Sequence, residues 1–349
     1  MTSTASPSIG EAGGADVPLL EINGLTVSIG SGPNALTAVR GIDLTLRRGE
    51  SLGVVGESGA GKSLSMLSVT SLLPKNARLG GSVKLKGVEL VGLGNRELRK
   101  IRGADVGMIF QDPMTSLNPV FTVGRQVGEA IKIHNPGMSR KAVEAAAIEL
   151  LASVAIPSPK ERISSYPFEL SGGMRQRVMI AIAIANNPAL LIADEPTTAL
   201  DVTIQAQILR LLQRLAEERD MALVLITHDL GVIAGMVDRV AVMYAGRIVE
   251  ERNTADLFAD PRHPYTKALL ACIPRPDETN LRIAGIPGSP AVLRPAPRGC
   301  AFAPRCSDVI ADCKEIDPQL EGQGDERVAC IVAAPPGSTS AASTTEGTK

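Results

Sequence analysis

The 349-residue sequence has no tryptophan, and only 2% of it is Phe or Tyr. Stacked rings cannot form the core, so Leu, Ile, Val and Ala have to fill it. An excess of one charge is missing too: 36 Lys and Arg stand against 37 Asp and Glu, for a formal net charge of −1. No basic surplus is left to grip a phosphate backbone, so the global charge gives no sign of a nucleic-acid partner. Long apolar runs are also lacking. Val178 to Ala185 is among the longest, far short of the roughly 20 residues that span a bilayer. A membrane role therefore has to come through a partner. Residues 1–17 are rich in Ser, Gly and Ala and lack the basic start and apolar core of a secretory leader. They are expected to be a disordered tail on a soluble, cytoplasmic protein.

What is present is organised around Gly56-Glu57-Ser58-Gly59-Ala60-Gly61-Lys62-Ser63. It reads G-x-x-x-x-G-K-S, a phosphate-binding loop. The apolar run Ser51 to Val55 precedes it as a strand, and Leu64 to Leu73 follows without proline as a helix. Glycines let several backbone N–H groups point at one phosphate chain, and the helix start adds partial positive charge. Lys62 can reach the β- and γ-phosphates of ATP, and the Ser63 hydroxyl can ligate Mg²⁺.

Leu19 to Ile22, Leu25 to Ile29, Ile42 to Leu46, Gly81 to Leu85 and Val106 to Phe110 read as strands. From about residue 112 to 187 the pattern turns helical. Strand signals return at Ala189 to Ala193, Ala222 to Thr227 and Val240 to Tyr244. Between the first two, Ile204, Ile208, Leu211, Leu212 and Leu215 form one helical face behind the N-cap candidate Asp201. Strands alternating with helices imply a mainly parallel sheet, with an antiparallel β part before it.

Leu190 to Glu195 is an apolar strand that ends in two acids. Asp194 at a strand end can hold Mg²⁺ beside the loop, and Glu195 can face an attacking water as general base. Leu170-Ser171-Gly172-Gly173 opens a second helix with exposed amides, a second anion site. One ATP does not need two cradles in one chain. Two subunits head to tail explain both, each loop facing the other's Ser-Gly-Gly.

The order of phosphate loop, Gln111, Leu170-Ser171-Gly172-Gly173, Asp194-Glu195, Ala199-Leu200-Asp201 and His228 resembles the ABC-type ATPases. The resemblance implies an α/β fold: a P-loop (RecA-like) core with an antiparallel β part and a helical signature subdomain. It implies that Gln111 touches Mg²⁺ or the water, that Lys62 and His228 serve catalysis with Glu195, and that His228 holds the γ-phosphate. Ser171, Gly172, Gly173, Gln176 and Asp201 would meet nucleotide held by the opposite subunit. The family's aromatic platform for adenine is missing, and Ile29 and Val39 are the candidates to replace it.

Met114 to Pro119, His263 to Leu269 and Ile286 to Pro290 are similar to the oligopeptide, dipeptide and nickel importer ATPases. The implied partners are a second ATPase subunit, identical or related, two transmembrane permease subunits and an extracytoplasmic peptide-binding protein. The chain would sit at the cytoplasmic face of the cell membrane and drive uptake of short peptides. Nickel or another small solute is the alternative cargo. A soluble ABC ATPase acting on nucleic acid or ribosomes is the alternative class, but such proteins carry paired cassettes or a long coiled coil. The expected layout is a cassette at 18–260, a small cysteine-bearing module at 261–332 and a disordered tail at 333–349.

Of five cysteines, Cys300, Cys306, Cys313 and Cys330 gather in that module, spaced C-x5-C, C-x6-C and C-x16-C. Close C-x2-4-C pairs typical of structural zinc are absent. The four can ligate a [4Fe–4S] cluster, which the resemblance also suggests; zinc and unligated thiols remain the alternatives. Cys272 reads as a small buried hydrophobe.

Overall fold

The computed structural model describes residues 17–32, 35–111, 116–198, 200–273, 285–289, 291, 293 and 297–333. Both expected tails, apart from Val17 and Ala333, lie outside that range. So do residues 112–115, Ala199 and Pro290.

In chain order the strands are β1 (Leu20–Ile29), β2 (Leu36–Leu46), β3 (Ser51–Val55), β4 (Ala77–Leu85), β5 (Val88–Glu89), β6 (Val106–Ile109), β7 (Leu190–Asp194), β8 (Ala222–Thr227), β9 (Arg239–Tyr244), β10 (Arg247–Asn253), β11 (Glu321–Gln323) and β12 (Glu326–Val328). The first sheet is antiparallel in the order β2-β1-β4-β5. The second runs β11-β12-β10-β9-β3-β8-β7-β6 and is parallel from β9 to β6. Parallel strands are covered on both faces, and every residue of β7, β8 and β9 is buried.

That sheet separates two cores. Leu190, Ile192, Val224 and Val54 face the antiparallel sheet, while their neighbours Leu191, Ala193, Leu225 and Val55 face the helices. Period-two alternation assigns successive residues to opposite cores. Between β6 and β7 the described residues hold only helices: Val123–His134, Arg140–Ser153, Pro159–Arg162, Gly172–Ala183 and a single 3₁₀ turn. Helix Val202–Glu218 is capped by Asp201, whose carboxylate accepts from the Ile204 amide at 2.9 Å, and it buries Ile208, Leu211, Leu212 and Leu215.

The C-terminal residues do not stand apart. Strand β12 adds to β10 and extends the main sheet. Its seam is ionic. Arg239, with its side chain 2% exposed, donates to Glu50 at 2.8 Å and pairs with the fully buried Glu251, which also receives Arg327. Burial pushes the Glu251 carboxyl upward, opposed by both arginines. Removing one member leaves the other charge uncompensated. Arg239→Met is therefore expected to cost about 3–5 kcal/mol of stability, read as a lower urea midpoint. Adding Glu251→Gln should recover part of that loss.

Candidate functional site

The strand register delivers the chemistry to one edge. Val55 pairs with Thr227, Asp194 with Ile226, and Ile109 with Ala193. The residues that follow these ends, Gly56, Glu195, Gln111 and His228, emerge together at the carboxyl edge of the parallel strands.

The phosphate loop leaves β3 and closes against β9 and β2. A Cβ on Gly56 would lie 2.1 Å from the Met243 carbonyl oxygen, and one on Gly61 would lie 2.7 Å from that of Ala38. Only glycine fits either place. Helix Lys62–Val69 starts at Gly61 with no side chain capping its first turn. Its leading amides are the donors a phosphate takes. Lys62 is buried, and its ammonium donates to the carbonyls of Gly56 at 2.7 Å and Glu57 at 3.0 Å. Burial lowers its pKa, while Glu195, Asp194 and Glu57 act against that shift.

The Ser63 hydroxyl donates to Asp194 Oδ1 at 2.9 Å, so the two Mg²⁺ candidates already touch. Burial raises the Asp194 pKa; the Ser63 bond and Lys62 oppose it, and Glu195 adds to it. A divalent cation there would favour the ionised form.

Glu195 is the hub. It holds φ at +44°, a left-handed conformation unusual for a side chain of its size. Gln111 Nε2 lies 2.9 Å from its Oε2, the Thr198 hydroxyl donates to Oε2 at 3.1 Å, and His228 Nδ1 lies 3.3 Å from Oε1. These partners aim the carboxylate across the mouth of the loop.

The second candidate anion site lies on a separate helix. Ser171 is exposed and caps helix Gly172–Ala183, accepting from the Met174 amide at 3.3 Å. Gly173 also serves packing, since a Cβ there would come within 2.8 Å of Ile204. Asp201 is exposed as well. Gln176 differs: it is 1% exposed and its Nε2 has no partner, so in this conformation it offers a second subunit no surface. Of the two adenine candidates, Ile29 keeps some exposure at the end of β1, whereas Val39 has none and supports Gly61 from behind.

Cys300, Cys306, Cys313 and Cys330 line one small cavity, with His263 and Phe302 among its walls. Burial raises the pKa values of Cys300 and Cys306; backbone amides oppose that shift, while the neighbouring thiols, and for Cys306 first the Asp308 charge, add to it. Among the described residues no three His, Cys, Asp or Glu converge tightly enough to hold a single metal ion. Cys272 is not part of this wall.

Thr198, Tyr265 and Arg305 also stand at this edge, and no motif assigns them to it. Tyr265 and Arg305 contact Glu57 across 208 and 248 residues of chain, beyond the reach of any local pattern. Thr198 sits three residues after Glu195, and that spacing was its only available signal.

A phosphate loop, a strand-end acid pair and a capped Ser-Gly-Gly helix on one α/β scaffold define a nucleotide-binding ATPase cassette. The family model described as ABC transporter matches residues 39–198, and the one described as the C-terminal region of oligopeptide/dipeptide transporters matches 249–313. Oligopeptide transport ATP-binding protein OppD of Mycobacterium tuberculosis is 49% identical over 316 residues, which is 90% of this chain and 52% of the relative. The chain thus spans about half the length of that mycobacterial protein. OppD of Salmonella typhimurium is 48% identical over 300 residues, covering 86% of this chain and 89% of the relative. Among solved structures, the dimeric post-hydrolysis ATP-binding cassette MJ0796 bound to ADP and Pi aligns at a TM-score of 0.61 and 30% identity, over 67% of this chain and 98% of that one. The chain belongs to the ABC-transporter ATP-binding subunits, in their oligopeptide/dipeptide branch. Among the described residues no helix is long and apolar enough to cross a membrane.

Glu195→Gln is expected to keep ATP binding and lose at least about 100-fold in turnover, because an amide cannot accept the water's proton. Single-turnover hydrolysis beside equilibrium nucleotide binding checks it; parental turnover would remove Glu195 from the role of base.

Proposed function

We propose that this chain is the ATP-hydrolysing subunit of an importer for short peptides. The observation that carries the reading is the convergence of Gln111, Thr198 and His228 on Glu195, beside the Ser63–Asp194 pair. Lys62 and the loop amides hold the polyphosphate. Ser63, Asp194 and Gln111 ligate Mg²⁺, directly or through water. Glu195 activates the water, and His228 holds the γ-phosphate. Ser171, Gly172, Gly173 and Asp201 meet nucleotide bound to a second, identical or related subunit. That pairing is in keeping with the dimer reported for the solved cassette MJ0796. Closure of the pair on ATP moves two permease subunits, and an extracytoplasmic binding protein delivers the peptide. The chain works at the cytoplasmic face of the membrane, attached through the permease.

The names of the curated relatives and the match at 249–313 favour peptide as cargo. Co-expression with the cognate permease and binding protein checks this: the chain should co-purify with both membrane subunits. Peptide-loaded binding protein should stimulate its ATPase severalfold, and Lys62→Ala should abolish turnover. Stimulation by nickel and not by peptide would overturn the cargo. Failure to associate with any membrane subunit would overturn the transport role.

For the four cysteines that line the cavity, a [4Fe–4S] cluster remains the reading, because four thiolates can ligate one and the close C-x2-4-C pairs of structural zinc are absent from their spacing. Backbone amides also aim at the sulfurs: Phe302 and Ala303 at Cys300, Asp308 at Cys306, and Ala333 at Cys330 at 3.4 Å. Such donors stabilise thiolates and tune cluster potential. Cys300, Cys306, Cys313 and Cys330 would be the ligands, in a structural or regulatory role. Anaerobic purification should yield about four iron and four sulfide per chain, unchanged by Cys272→Ser and lost on changing any of the four. One zinc without sulfide, or no metal, overturns the cluster.

A further inference from the structure

The phosphate loop carries a charge of the wrong sign for its ligand. Glu57 directly follows Gly56, and its side chain keeps 25% exposure at the rim of the cradle. A bare carboxylate there opposes the β- and γ-phosphates of ATP, and the desolvated setting strengthens that repulsion.

The opposing charge comes from the C-terminal segment. Arg305 adjoins Cys306 and has its side chain only 4% exposed. It grips Glu57 with both arms: Nη1 donates to Oε2 at 2.7 Å and Nη2 to Oε1 at 2.9 Å. Its other donors are also committed: Nε to the Pro287 carbonyl at 2.9 Å, Nη1 to the Tyr244 hydroxyl at 3.4 Å and Nη2 to the Ile286 carbonyl at 3.2 Å. All five N–H groups of a guanidinium are therefore used. That fixes the fork in one orientation, with its plane near the rings of Tyr244 and Phe302. The Tyr265 hydroxyl accepts from the Glu57 amide at 2.9 Å. The first turn of the loop is thus held by its carboxylate and its amide at once, both from residues beyond the phosphate-binding core.

A second ion pair follows the same route. Asp317 accepts from Arg40 at 2.8 Å, and the Arg40 amide joins the Gly246 carbonyl at 2.8 Å. Gly246 in turn donates to Ala60 of the loop at 3.0 Å. The C-terminal segment therefore braces the cradle at its entry and near its exit.

We infer that Arg305 is a positioning residue for nucleotide binding: it neutralises Glu57 and holds the first turn of the phosphate loop open to a polyphosphate anion. The inference rests on the assignment of residues 56–63 as the ATP cradle. Arg305 touches neither nucleotide nor the reacting atoms. It acts on affinity, through Glu57.

The test is a double-mutant cycle on the full chain with its permease. Mg-ATP binding and steady-state kinetics are measured for the parent and for Arg305→Gln, each with Glu57 and with Glu57→Gln. Arg305→Gln is expected to weaken ATP binding and raise KM about tenfold, with kcat changed less than twofold. In the Glu57→Gln background the same substitution should cost under twofold. Arg305→Lys should recover part of the loss, since it restores charge without the bidentate fork. Raising the salt from about 0.05 M to about 0.5 M should shrink the Arg305→Gln defect, as screening does for a charge effect. The thermal midpoint of Arg305→Gln, followed in parallel, should fall, because a buried guanidinium and its five hydrogen bonds are lost, so affinities are compared well below it. Parental affinity in Arg305→Gln overturns the inference. So does an equal loss in both Glu57 backgrounds, which would mark Arg305 as a packing residue only. If Lys62→Ala binds ATP like the parent, the cradle assignment itself has failed, and the two failures are thereby told apart.

Discussion

Three carboxylates crowd one buried lysine, and the rest of the site answers to that constraint. Asp194, Glu195 and Glu57 all pull on Lys62 against the cost of its burial. A cradle for a polyanion cannot leave three such groups bare. Each has its own compensation. Asp194 takes the Ser63 hydroxyl and is the proposed ligand of a cation. Glu195 is held by Gln111, Thr198 and His228. Glu57 has Arg305. The first two answers are local to the parallel-strand edge, and the third is imported from the C-terminal segment.

This division also decides what could be read in the amino-acid order. The loop, the acid pair after β7 and the capped Ser-Gly-Gly helix are contiguous patterns whose chemistry is local, so they stand out in a bare sequence. Strands β7, β8 and β9 stand out for the same reason, as apolar runs buried on both faces. Strand β10 does not. Its Glu250-Glu251-Arg252 has no apolar alternation, yet Glu250 and Glu251 are fully buried. Glu250 accepts the amides of Arg262 and His263, and Glu251 is caught between Arg239 and Arg327. Charged residues enter a sheet interior only when partners distant in sequence neutralise them, and periodicity carries no trace of those partners. Val39 and Gln176 show the same limit at single residues. Motif position suggests nucleotide contact for both, while packing buries Val39 behind Gly61 and Gln176 inside the helical layer.

The scarcity of aromatic residues becomes informative once they are located. The chain has three tyrosines and five phenylalanines. Tyr244, Tyr265 and Phe302 meet in one cluster, with ring centroids 4.6 to 5.3 Å apart. It sits where β9, the helix Pro264–Ala271 and the cysteine-bearing segment join. Large rigid rings give this junction more buried area per residue than the aliphatic cores can. The hydroxyls of Tyr244 and Tyr265 serve Arg305 and Glu57. One cluster thus packs the C-terminal segment and orders the phosphate loop.

The C-terminal segment is therefore integral to the cassette and no appendage. Arg327 completes the buried ionic seam at Glu251, Asp317 anchors Arg40, and Arg305 secures Glu57. These contacts form a line from the far edge of the main sheet to the mouth of the nucleotide site. Arg305 adjoins Cys306, and Cys300 is tied to Cys313 by a backbone hydrogen bond of 2.8 Å. Whatever fixes the four thiols in place also fixes the base from which Arg305 projects. Phe302 and the ionic contacts hold that base from one side, and the thiol cavity flanks it on the other. A group bound among the cysteines would supply the rigidity that the guanidinium fork needs, and the affinity of the phosphate loop would then depend on a site that never touches ATP.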